Sequence, residues 1–212
     1  MRSIRFILIL LFLQISIDTY SQLNHRHYIL MGRIDLSDED YSEAILNFNL
    51  AITAKPADFE AYFLRGIAKY SLNDFNGAVD DFSKAISIHP LYTRAYHYRG
   101  ISNDRLGNYA DAISDYKKAI ELDPYDPDLH IALGSTRLHL NEFESAILCF
   151  DTALIIKPDN SYAYINRGVA KRYLELYDEA LDDLNKAVYY DFFNIEAIVR
   201  RGILYMEQKK YQ

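Results

Sequence analysis

Arginine stands immediately before glycine four times in this 212-residue sequence, each time inside a run that otherwise reads as buried helix: Arg65-Gly66, Arg99-Gly100, Arg167-Gly168 and Arg201-Gly202. A guanidinium in such surroundings needs an anion. Sixteen residues after the first three stand Asp81, Asp115 and Asp183. Two related places lack the arginine, and there Met31 is followed at the same distance by Asn47, and Leu133 by Cys149. Charge and countercharge change together within one chain. This predicts partly buried, charge-assisted pairs Arg65–Asp81, Arg99–Asp115 and Arg167–Asp183 with a structural role.

Other reactive side chains have no such order. His25 and His27 form a His-x-His, while His89, His97, His130 and His139 are scattered, and none has the Cys or Glu spacing of a metal site. Cys149 is the only cysteine, which leaves it without a disulfide partner and reads as a small buried apolar residue. No nucleophile elbow, phosphate-cradling loop or general acid/base pair of carboxylates stands out. Acidic pairs such as Asp80-Asp81 and Asp182-Asp183 fit solvated faces, caps and the ion pairs. A noncatalytic chain without metal, cofactor or small-molecule substrate is expected.

The elements that position the arginines follow from a 34-residue period. Six of the eight glycines, Gly32, Gly66, Gly100, Gly134, Gly168 and Gly202, fall on it. Alanines recur at Ala44, Ala78, Ala112, Ala146 and Ala180, and again seven residues later, and Pro56, Pro90, Pro124 and Pro158 close the units where the fifth has Phe192. A helical glycine costs about 1 kcal/mol relative to alanine, so its recurrence predicts a close approach between two helices, with the glycine of the first opposite the first alanine of the second. Proline would end each second helix. Short polar links, Asn73-Asp74, Gly107-Asn108 and Asn141-Glu142, would join the two. No strand signal competes.

In the third unit the series Tyr96, Gly100, Tyr109, Ala112, Tyr116, Ala119, Pro124 resembles the tetratricopeptide repeat (TPR) family, and similar series recur over residues 25–212. Arginine before the glycine and the missing fifth proline depart from its pattern. The resemblance implies an all-α fold, a right-handed superhelical α-solenoid of stacked antiparallel helix pairs. The repeats would span residues 25–58, 59–92, 93–126, 127–160 and 161–194, with a partial sixth at 195–212. The ending "EQKKYQ" reads as the turn into a further helix, which suggests a longer natural protein.

In this family the first-helix stripe facing away from the arginine lines a concave groove. On this chain it would be Phe63, Ile67, Tyr70, His97 and Ile101, flanked by Arg94 and Arg105, and then Ile131, Leu138, Tyr162, Ile165, Val169 and Tyr173, with Arg172. Such a wall suits an extended peptide or an amphipathic helix. Some TPR domains clamp a C-terminal carboxylate instead, but the equivalent positions, Ile131, Ser135, Asn166, Glu196 and Arg200, match that clamp too poorly for it to be expected here.

The net charge of −7 gives no electrostatic reason to expect nucleic acid. Residues 1–21 place Arg2 and Arg5 ahead of an apolar run from Phe6 to Ile17, followed by Thr19 and Ser21, the pattern of a cleavable signal peptide. As a helix that run would reach only about 18 Å, short of a bilayer core, so membrane contact would be limited to the signal segment before cleavage. The reading is therefore an exported protein, periplasmic or secreted in a bacterial envelope setting, that binds a protein or peptide. The alternative is a recognition module of a larger enzyme or sensor with its other domain beyond residue 212.

Overall fold

A computed structural model describes residues 24–211, with side chains to residue 207, and every regular element in it is a helix. The helices are α1 (24–37), α2 (Tyr41–Ala54), α3 (Phe59–Ser71), α4 (Phe75–Ile88), α5 (Thr93–Arg105), α6 (Tyr109–Leu122), α7 (Pro127–His139), α8 (Phe143–Ile156), α9 (Ser161–Tyr173), α10 (Tyr177–Tyr190) and α11 (Ile195–Tyr211). They fall into two compact units divided between Ser102 and Asn103, within α5. Among the described residues no helix is long and apolar enough to cross a membrane. The proposed signal segment lies outside the described residues.

One turn recurs throughout. Glu39, Asn73, Gly107, Asn141 and Glu175 all have φ between 58° and 77°, in the left-handed region. In each case the next residue donates its N–H to the carbonyl five back, as in Asp74 to Lys69 (2.9 Å) and Leu176 to Lys171 (2.9 Å), which closes the first helix of a hairpin. The second helix then starts at once. Asp40 and Asp74 cap α2 and α4 through the amides of Glu43 and Gly77.

Proline is not what stops the second helices. α10, which lacks it, ends at Tyr190 with Asp191 N–H on Ala187 O (3.0 Å), the same closure that Lys55 gives Ala51 and Lys157 gives Ala153. Asn194 then opens α11 by accepting from the Ala197 amide at 3.2 Å. Proline makes the break local and rigid; the cap is sufficient to produce it.

The glycines meet an aromatic ring, not an alanine. A Cβ on Gly32 would lie 2.6 Å from the Phe48 ring, one on Gly66 2.7 Å from Phe82, and one on Gly134 2.6 Å from Phe150. The missing side chain makes room for a fully buried phenylalanine four residues after the repeat alanine. Gly168 alone approaches alanine backbone, at 3.2 Å from Ala180 O, because the ring's place is taken by Leu184.

In the first unit α3 packs on α2 and on α4, burying Phe63, Ala78, Phe82, Ala85 and Ala95 together. In the second, consecutive helices from α6 to α11 pack in turn, and α9 also touches α7 and α11. The second-helix residues Leu154 and Val188 share a core there with Ala163, Ile165 and Ala197.

Candidate functional site

The arginines hold the hairpins together from inside. In the first unit Arg65 donates from Nε and Nη2 to the two oxygens of Asp81, at 2.9 and 2.5 Å. Its third nitrogen, Nη1, reaches Asn49 Oδ1 of the preceding second helix at 2.6 Å. In the second unit Arg167 repeats this with Asp183 (2.9 and 2.5 Å) and Asp151 (2.5 Å). A tyrosine three residues earlier covers each guanidinium, Tyr62 at 5.5 Å and Tyr164 at 5.4 Å. Asp81 and Asp183 are buried, so each arginine satisfies a carboxylate that water does not reach. Burial alone would lower the Arg167 pKa, but the hydrogen bonds from Asp183 and Asp151 outweigh it and the guanidinium is held charged.

Arg99 and Asp115 belong to different units. Arg99 Nη1 donates to Ser83 Oγ (3.0 Å), and Asp115 accepts from Asn103 Nδ2 (3.4 Å).

Two sets of partners escaped the sequence reasoning. The residue sixteen before each arginine is an acceptor, Asn49, Ser83, Asp151 and Asn185, whereas sixteen before Leu133 stands Lys117. The residue four after the arginine also joins the cluster. Lys69 and Lys171 reach Asp81 and Asp183 at 2.9 Å each, and in the first hairpin the polarity is reversed, with Asn47 Nδ2 on Asp35 at 2.7 Å. Both series lay in the sequence as columns of polar residues that change with the arginine.

The first-helix stripe divides. Phe63 (1% exposed) and Ile165 (1%) are core residues and cannot meet a ligand. Tyr92 stacks edge-on against Phe63 at 5.0 Å and the Arg94 guanidinium lies over it at 4.9 Å; Ile131 packs against the core that holds Ile165. The sequence argument placed these two by helical angle, and the neighbouring helix closes over that angle.

What stays accessible in the first unit is Arg94, exposed, with half-buried Ile67, Tyr70, His97 and Ile101. In the second unit, Arg105, Tyr162 (61%) and Tyr173 (55%) are exposed, and Ile131, Leu138, Val169 and Arg172 are half-buried. Tyr173 stacks on Phe143 at 4.8 Å and lies under Arg172 at 5.0 Å. Val169, Arg172, Arg200 and Ile203 line a shallow notch whose floor is Gly168 and Leu184. Ile203 and Arg200 were not singled out from the sequence, although they continue the stripe onto α11.

Antiparallel helix pairs joined by one repeated turn define a helical-hairpin repeat protein. Profiles described as tetratricopeptide repeat match residues 29–93 and 65–127, 105–166 and 161–194. The chain belongs to the tetratricopeptide repeat family. Among solved structures it is similar to MamA 41-end from Desulfovibrio magneticus RS-1 (18% identity, 81% of this chain and 97% of that one, TM-score 0.75). It is also similar to YrrB, described as a TPR protein with an unusual peptide-binding site (20%, 82% and 90%, TM-score 0.70). A third is TTC0263, a thermophilic TPR protein in Thermus thermophilus (20%, 86% and 99%, TM-score 0.68). At these identities the likeness is one of fold. No curated protein matches the sequence.

Proposed function

We propose that the chain is a noncatalytic protein-interaction scaffold that holds an extended peptide or an amphipathic helix of a partner against the first-helix faces of its repeats. The observation that carries this is the α9–α11 notch, where Val169 and Ile203 stand between Arg172 and Arg200, with exposed Tyr162 on the same first helix. Aliphatic floor and cationic rim suit a segment with apolar anchors and acidic residues between them. The helices bearing these groups are fixed by buried ion pairs, so little ordering is left for binding to bring about. The fold shared with YrrB, whose printed description names a peptide-binding site, adds support.

Peptides selected by display on the intact chain provide the test. Val169→Asp and Tyr162→Ala are expected to abolish capture while helicity is kept; capture unchanged in both variants contradicts the assignment.

The same reading includes export, supported by the charge and apolar pattern of residues 1–21. N-terminal sequencing of protein recovered outside the cytoplasm is expected to begin at Gln22, and a start at Met1 contradicts it.

A further inference from the structure

α11 is covered on one side and bare on the other. Ala197 and Leu204 are fully buried, Leu204 in a cluster with Ala180 and Leu184 of α10. With about 100° per residue, Ile195, Ile198, Val199, Gly202, Tyr205 and Met206 fall on one face, centred roughly 140° from that seam, and all six are exposed. At its centre is Gly202, whose missing Cβ has nothing within 4 Å. The equivalent places at Gly32, Gly66 and Gly134 are filled by a phenylalanine of a second helix.

Beside Gly202, Arg201 is half engaged. Its Nη1 donates to Asn185 Oδ1 (3.2 Å), the contact that Arg65 gives Asn49 and Arg167 gives Asp151. The nitrogens that grip Asp81 and Asp183 in those two arginines, Nε and Nη2, have no acceptor among the described residues in Arg201. A glycine notch, an apolar face and an unmet guanidinium edge coincide.

We propose that this face of α11 docks one amphipathic helix of a partner protein, carrying Asp directly before Phe, Tyr or Leu, with alanine four residues before that side chain and three after it. The second helices of this chain state the chemistry: Ala78, Asp81, Phe82, Ala85 in α4 and Ala180, Asp183, Leu184, Ala187 in α10. The aspartate meets Arg201 Nε and Nη2, the large side chain fills the space over Gly202, and the alanines let the helices approach. A folded second copy is not the occupant, because its own Asp–Phe and Asp–Leu pairs are buried in their hairpins. The surface is separate from the Val169–Arg172 notch and stands or falls independently of it.

A labelled peptide of residues 74–89, the α4 segment, is titrated into the intact chain and followed by fluorescence anisotropy. Saturable binding is expected, weakened about tenfold or more by Asp81→Ala or Phe82→Ala in the peptide. Gly202→Leu and Arg201→Leu in the protein are expected to weaken it as much, and Tyr162→Ala to leave it unchanged. Gly202 is exposed, so its leucine variant should keep wild-type helicity; Ile198→Asp is the second protein variant. Absence of binding, or binding indifferent to Gly202→Leu and Ile198→Asp, overturns the proposal. So does a dimer, seen by light scattering of the free chain, that Gly202→Leu dissociates, since a second copy would then be the occupant.

Discussion

The fourth and fifth hairpins, α7–α8 and α9–α10, solve one interior problem in two ways. Where α9 has Arg167 and α10 has Asp183, α7 has Leu133 and α8 has Cys149, and all but the arginine are buried. The fifth hairpin satisfies its carboxylate completely, with Arg167 on both oxygens and Lys171 beside them. The fourth has removed both charges. It keeps, however, Arg137 at the place of Lys171, and the Nε of Arg137 is buried with no hydrogen-bond partner. A complete ionic cluster and an apolar pair are both acceptable in the same backbone notch; the residue left over from one in the other is where the cost falls.

The largest effect should come from breaking the fifth hairpin's cluster on one side. Asp183→Leu leaves two cations beside a buried apolar side chain, with an expected loss of about 3 to 5 kcal/mol in denaturant unfolding. A loss below about 1 kcal/mol would mean that water reaches the cluster and screens it.

Glycine sharpens the comparison between filled and open notches. Gly66→Ala pushes a methyl into the Phe82 ring and should cost about 1 to 3 kcal/mol, whereas Gly202→Ala, with nothing nearby, should gain about 0.5 to 1 kcal/mol from helix propensity. Equal effects in thermal unfolding would remove close packing as the reason for the glycine period. A smaller change is expected at the turns. Glu175 sits at φ 61° where the third hairpin has Gly107, so Glu175→Gly should stabilise by about 0.5 to 1 kcal/mol.

The smallest effect is on pH. Burial pushes the Cys149 thiol up, and Arg137 and Lys117 pull it back only in part. A thiol whose folded pKa exceeds its unfolded value stabilises the fold below the unfolded value and loses that contribution as pH rises through the folded one. Alkylation of Cys149 should therefore be slow at pH 8 and rise only under strongly alkaline conditions. Reaction at the rate of a free thiol at pH 8 would contradict its burial.

Much of this architecture is legible in the sequence because a repeat is its own alignment. The glycine, alanine and turn columns mark the helices, and the joint change of Arg or Leu with Asp or Cys points to contacts sixteen residues apart. What was not legible depends on neighbours the argument did not include. Phe63 is an accessible stripe residue on an isolated helix, and only the approach of Tyr92 and Arg94 buries it. The glycine's partner was misplaced by one helical turn, since sequence spacing does not give the axial offset of two helices. Glu39 and Glu175 carry left-handed backbone that their residue type does not announce.

The central claim is that the arginine cluster acts as a unit that an apolar pair can replace, and the fourth hairpin supplies the replacement. A double-mutant cycle on Arg167→Leu and Asp183→Cys, read by urea unfolding, tests it directly. Each single change should destabilise strongly, and the double variant should recover about 2 kcal/mol or more of the summed losses. Losses that simply add would show that Arg167 and Asp183 contribute separately and would contradict the account.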